Sequence, residues 1–148
     1  MYNVLLKEVI NMEIQNVTKK YKKGNTTIYS CQYHIIFCPK YRRNVLVDGI
    51  DQRLKELIKE KEKEWDYEVL EMEVMPDHVH LLLDVNPKEG IYNIVNHIKG
   101  YSSNILRQEF PKLKTRLPTL WSRTKFISTV GSVSLETVKQ YIENQKGK

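Results

Sequence analysis

Tyr67-Glu68-Val69-Leu70-Glu71-Met72-Glu73-Val74-Met75-Pro76-Asp77-His78-Val79-His80-Leu81-Leu82-Leu83-Asp84-Val85 decides the fold. It predicts two strands, Tyr67 to Met75 and Val79 to Val85, split by Pro76-Asp77 and therefore closely paired or joined as a hairpin. Upstream, Thr26 to Phe37 is β-branched and aromatic until Pro39 interrupts it, which predicts a central strand. Between these strands Leu54, Leu57, Ile58 and Trp65 stand among Lys and Glu, the pattern of an amphipathic helix over Asp51 to Trp65. Downstream, Ile91, Ile94, Val95, Ile98, Tyr101, Ile105 and Leu106 keep helical spacing and stop before Pro111, so a second helix is expected from about Ile91 to Phe110. A basic loop containing Pro118 leads to a strand from Lys125 to Val130, closed by Gly131. A last helix starts near Ser134, a suitable N-cap with Glu136 in the first turn, and runs to about Lys146. Strand, helix, strand, strand, helix, strand, helix is the order of an α+β, ferredoxin-like (split βαβ, RRM-like) domain. Its sheet should be mostly antiparallel, with helices on one face and a C-terminal helix added.

The chain has 148 residues, 41% of them hydrophobic, enough to bury the core of one domain without disulfides or a structural metal. Cys31 and Cys38 lie seven apart in one expected strand and so point to opposite faces, which leaves them as reduced thiols. No apolar run approaches the roughly 20 residues of a membrane span. The N-terminus also lacks the compact apolar stretch and cleavage site of a secretory signal, so a cytoplasmic protein is expected. A net charge of +6 suits a partner that carries phosphates, and the surplus is clustered: Lys19 to Lys23, Lys40 to Arg43, Lys112 to Arg116, and Arg123 with Lys125. Such runs are commonly plain solvated surface. Where Tyr41 and Trp121 interrupt them, nucleobases can stack on rings while Lys40, Arg42, Arg43 and Arg123 hold the backbone.

The chemistry centres on His78-Val79-His80. Side chains alternate along a strand, so both imidazoles project one way and Val79, Leu81 and Leu83 the other. Two imidazoles one pleat apart can share a cation, although an isolated pair is also an ordinary polar start to a strand. In the last helix Tyr141 and Gln145 are four apart and share a face, beside the apolar stripe of Leu135, Val138 and Ile142. A phenol with a reference pKa of about 10 attacks poorly at neutral pH unless it is deprotonated during attack or its target is polarised. A divalent cation supplies that polarisation, and imidazole ligands by themselves suit Zn, Mn or Ni better than Mg.

His-hydrophobic-His on a strand, followed by Tyr141-Ile142-Glu143-Asn144-Gln145 on a C-terminal helix, resembles the HUH single-tyrosine (TnpA-type) transposases of the smallest bacterial insertion sequences. The resemblance extends over Tyr33 to Arg42, Met75 to Leu83, Ile98-Lys99-Gly100-Tyr101-Ser102-Ser103, Leu120-Trp121-Ser122 and Val130-Gly131, in that order. It implies a transposase domain over 28–148; residues 1–27, which end in the basic stretch Lys22-Lys23-Gly24-Asn25, read as an appended basic arm longer than the family core needs. It also implies metal ligation by His78, His80 and Gln145 with Mg²⁺ or Mn²⁺, and Tyr141 as the nucleophile that forms a 5′-phosphotyrosine link with single-stranded DNA. A homodimer acting on hairpins, with the partner's tyrosine helix able to complete the site, belongs to the same implication. Lys40, Tyr41, Arg42, Arg43, Lys99, Trp121 and Arg123 are the residues expected to contact DNA.

Two other readings compete. A rolling-circle initiator or a domesticated relative would nick other hairpins by the same chemistry, though initiators are usually longer. A non-catalytic ferredoxin-like module would bind RNA or DNA through stacking aromatics and would not need the histidine pair. His34 is expected as a sheet-face or core residue and His97 as a surface residue.

Overall fold

The computed structural model describes residues 21–130 and 135–148, with side chains in the last helix described from Gln140 onward. The expected N-cap Ser134, Glu136 and the apolar positions Leu135 and Val138 therefore lie outside what is described, as do residues 1–20. A short ladder pairs β1 (Lys22–Lys23) with β2 (Ile28–Tyr29), and the expected arm boundary falls within its loop. The main elements are β3 (Gln32–Phe37), α1 (Ile50–Glu60), β4 (Tyr67–Met75), β5 (His78–Val85), α2 (Ile91–Glu109), the short α3 (Lys112–Arg116), β6 (Phe126–Thr129) and α4 (Leu135–Asn144).

The main sheet has the order β4-β5-β3-β6, antiparallel at every pairing. This is the ferredoxin-like arrangement that the element order predicts, with β3 central. Val79, Leu81, Leu83 and Val85 of β5, aligned with Ile35 and Phe37 of β3, face a core closed by Leu54, Leu57 and Ile58 of α1 and by Ile94, Val95, Ile98 and Leu106 of α2. Every residue of β5 is buried, because its other face is covered too. That second face carries His78, His80, Leu82 and Asp84.

Local differences from the expected elements have local causes. α1 ends at Glu60 rather than near Trp65, and turns lead to Asp66, whose φ of 53° reverses the chain into β4. Trp65 still packs on the core, edge-on to Tyr101 at 5.8 Å. Its other neighbour is the exposed His97, 5.4 Å away. The basic loop after Phe110 contains the helical turn α3, pinned by the buried Leu113. α1 opens on Gly49 at φ 94°, a left-handed conformation that a Cβ would strain. Cys31 and Cys38 are both free thiols, and burial pushes the Cys38 thiol up to about 12. Among the described residues no helix is long and apolar enough to cross a membrane.

Candidate active site

The antiparallel register places His80, Ile36 of β3 and Phe126 of β6 in one row across the sheet, with His78 a pleat away opposite Met75. Both histidines thus leave the sheet on the face opposite α1 and α2, as strand alternation predicts, and both are fully buried. His78 Nδ1 lies 2.8 Å from Asp77 Oδ1, and Arg42 Nε donates to the other Asp77 oxygen at 2.8 Å. Burial raises the Asp77 carboxyl, but the hydrogen bonds and charges of His78 and Arg42 outweigh it and hold the group below the ordinary carboxylate range. An ionised carboxylate only accepts, so His78 Nδ1 is the donor in this contact and Nε2 is the ring nitrogen left for another partner.

Among the described residues His78 Nε2 has no hydrogen-bond partner, nor has either nitrogen of His80. Burial first, then the neighbouring His34 and His78, lowers His80 to about 3, so its ring is neutral at pH 7. Buried ring nitrogens without partners are costly unless something receives them, and a cation is the group they fit. His34 occupies the same face, its ring centroid 5.7 Å from that of His80, and it too is buried with no partner for either nitrogen among the described residues. Among the described residues no three His, Cys, Asp or Glu side chains converge, so a cation here would rest on the His pair plus a neutral oxygen.

The depressed His80 value has a consequence for stability. Between pH 6.5 and about 3 the unfolded chain binds a proton at this position that the folded chain refuses. Stability from this group is therefore complete above pH 6.5 and declines as the pH falls through that window. Thermal melts of the chelator-treated protein should show a lower Tm at pH 4.5 than at pH 7, and His80→Ala should shrink the difference.

α4 lies over the same face. Ile142 is fully buried, while the Tyr141 ring stands 5.3 Å from that of Phe126. Phe126 is in the His80 row two strands away, a span of roughly 10 Å at the usual strand spacing. Burial pushes the Tyr141 phenol up to about 12, opposed in part by the nearby Thr124 hydroxyl, although no well-formed hydrogen bond reaches the phenol oxygen. Gln145 is 3% exposed, and its Oε1 accepts from Thr124 Oγ1 at 2.8 Å and Ser122 Oγ at 3.4 Å. Lys99, on α2, supports that segment by donating from Nζ to the carbonyls of Ser122 (2.8 Å) and Thr124 (3.3 Å). Burial, with Lys125 adding to it, lowers the Lys99 amine to about 8.

The structure thus brings Tyr141 and Gln145 onto the histidine face. Of the residues expected to contact DNA, Arg42, Lys99 and Trp121 have largely buried side chains. The Arg42 side chain is 8% exposed and paired with Asp77, and Lys99 is engaged by carbonyls. Trp121 packs edge-on to Phe37 at 4.7 Å and donates Nε1–H to Ser102 Oγ. Tyr41, Arg43 and Arg123 are exposed and Lys40 is partly so, with Lys40 Nζ 5.2 Å from the Tyr41 ring centroid. Asp77, Ser122 and Thr124 were not anticipated. Asp77 could have been found as a carboxylate adjoining the first histidine.

A family model described as "Transposase IS200 like" matches residues 27–145. The chain is 39% identical over 129 residues to the ISDra2 transposase TnpA of Deinococcus radiodurans, spanning 86% of this chain and 92% of that one. It is 36% identical over 122 residues to the transposase for insertion sequence element IS200 of Salmonella typhimurium, spanning 80% and 79%. A crystal structure from Deinococcus radiodurans R1 assigned as a transposase superposes with a TM-score of 0.78 at 37% identity, covering 86% of this chain and 99% of that one. A REP-associated tyrosine transposase bound to a REP hairpin shares the fold at a TM-score of 0.53 and 15% identity, covering 86% and 68%.

Proposed function

The chain belongs to the IS200-like transposase family, and from that premise we propose that it is a metal-dependent single-stranded DNA endonuclease and strand transferase with Tyr141 as nucleophile. The observation that carries this reading is the pair of buried imidazoles, His78 and His80, whose remaining ring nitrogens have no hydrogen-bond partner among the described residues. A divalent cation, Mg²⁺ or Mn²⁺, held by these two and by the Gln145 side-chain oxygen would supply Lewis-acid polarisation of the scissile phosphodiester.

The chain's own residues supply the remainder. Asp77 accepts from His78 Nδ1 and so fixes the tautomer that leaves Nε2 to ligate. Thr124 and Ser122 donate to Gln145 Oε1 and orient the amide, and a cation taken by that oxygen would replace the longer of the two contacts, that from Ser122 at 3.4 Å. The Tyr141 oxygen attacks phosphorus and the P–O3′ bond breaks. The departing 3′ oxygen takes up a proton as a 3′-hydroxyl, and the phosphate remains on Tyr141 as a 5′-phosphotyrosine. A 3′-hydroxyl then attacks that phosphorus, restores a phosphodiester and returns the phenol, so strands are rejoined without ATP. Burial keeps the phenol protonated at neutral pH, so its proton must leave as attack proceeds. The substrate in this reading is a mobile element excised and inserted as single-stranded DNA marked by hairpins at its ends. Tyr41, Arg43 and Arg123 offer a ring and cations to it, and a homodimer is the acting unit.

The test is to incubate the protein with hairpin-bearing single-stranded DNA and Mg²⁺ or Mn²⁺ and to look for a covalent adduct on a denaturing gel. An adduct is expected with either ion and none after chelation. Hairpin binding without an adduct under any divalent metal would establish the non-catalytic binding module instead.

A further inference from the structure

We propose that Arg42 is a positioning residue that ties the tyrosine helix to the metal-side histidine, so that nucleophile and ligand are set by one guanidinium. This rests on the reading of Tyr141 and His78 given above. Arg42 Nη1 donates to the carbonyl of Ile142 at 2.8 Å, while Nε donates to Asp77 Oδ2 at 2.8 Å, and Asp77 Oδ1 in turn meets His78 Nδ1 at 2.8 Å. Three contacts therefore join the residue next to Tyr141 with the ring of His78. All the side chains in the chain of contacts are buried, with Arg42 at 8%, Asp77 at 3% and His78 at 0% exposure. In that setting charge-assisted hydrogen bonds are strong and directional.

Two independent features mark this as a built device. The Ile142 carbonyl lies in the last turn of α4, where it accepts a backbone bond from Gln145 N–H at 3.2 Å and the helix end is negative, so a guanidinium takes up its remaining lone pair and complements the helix dipole. The backbone is also strained to deliver Arg42: Tyr41 and Arg42 have φ of 60° and 52°, left-handed values that non-glycine residues adopt only when the surroundings enforce them. The short 3₁₀ turn Lys40–Arg42 turns the arginine inward and leaves Tyr41 exposed. A lysine cannot substitute, because its single ammonium lacks the fixed fork that reaches carboxylate and carbonyl together.

The test uses full-length Arg42→Gln, Arg42→Lys and Asp77→Asn, with two readouts. On the metal-free protein, amide hydrogen exchange in α4 should speed up about tenfold or more in both Arg42 variants and change little in Asp77→Asn, whose arginine still reaches Ile142. Mn²⁺ affinity, measured without DNA, should fall about 10- to 100-fold in all three, the usual effect of removing the group that orients a metal-ligating imidazole. A role confined to folding would lower Tm and leave Mn²⁺ affinity unmoved. Unchanged α4 exchange in Arg42→Gln, or Mn²⁺ affinity within twofold of wild type, overturns the proposal. Should Arg42→Gln fail to fold, Arg42→Lys and Asp77→Asn carry the same two comparisons. Failure of the functional reading looks different: wild type would then neither take up Mn²⁺ nor form an adduct, while α4 exchange in the Arg42 variants would still report on the tether.

Discussion

Tyr141→Phe is expected to abolish the covalent protein–DNA adduct, a loss on the order of 10⁴-fold or more as for other enzymes deprived of their nucleophile, while hairpin affinity stays within about twofold. The substitution removes one oxygen and keeps the ring that packs 5.3 Å from Phe126, so α4 keeps its seat through Ile142. The phenol oxygen is buried without a well-formed hydrogen bond, so its removal should not lower stability appreciably and can raise it slightly. A denaturing gel, a filter-binding titration and a thermal melt on one preparation decide the matter. Adduct formation by Tyr141→Phe at a substantial fraction of the wild-type rate would remove Tyr141 from the mechanism. The wild-type rate should also rise with pH from 6 to 9, because a phenol raised to about 12 is almost fully protonated there and its phenolate fraction grows about tenfold per pH unit.

The second large effect concerns the metal. His80→Ala should eliminate cleavage and metal dependence together, and His78→Ala should do likewise. Wild type should gain several degrees in Tm from millimolar Mn²⁺, since a ligand that binds only the folded state stabilises it by mass action. His80→Ala should lose that gain. Without metal, the variant should melt close to wild type, because it exchanges the packing of a ring for relief from two buried nitrogens that have no partner among the described residues. A Mn²⁺-induced rise in Tm that survives His80→Ala would place the cation elsewhere.

How much of this was legible in the sequence differs from residue to residue. The periodicity that put His78 and His80 on one face depends only on strand alternation, and the observed register agrees with it. The four-residue spacing that aligned Tyr141 with Gln145 is equally local. Helix α2 was readable from its apolar positions. The same spacing held a further signal, since Val95, Ile98, Lys99, Ser102 and Leu106 fall on one stripe and all are buried. Lys99 and Ser102 were thus readable as polar residues within an apolar face, where they must be satisfied internally. Arg42 was not readable in this way. A basic cluster such as Lys40 to Arg43 gives the sign of the charge but not its direction, and direction here follows from two left-handed residues whose side chains carry no signature of that conformation. The burial of Trp121 was not readable for a related reason: its partners, Phe37 and Ser102, are distant in sequence. The early end of α1 is a third case, because Lys61 to Glu64 are good helix formers and only the turn before β4 stops them.

One edge of the main sheet bears on solubility. β4 has β5 as its partner on one side only among the described residues, and nine residues of strand would ordinarily template further strands. Its ladder is interrupted by a bulge between Val69 and Glu71, which spoils the even spacing a newcomer needs. Glu68, Glu71 and Glu73 would also be set rank against rank by a second copy pairing there, carboxylate facing carboxylate. Fibre growth along this edge is therefore discouraged, and the protein is protected from polymerising through the longest of its described strands.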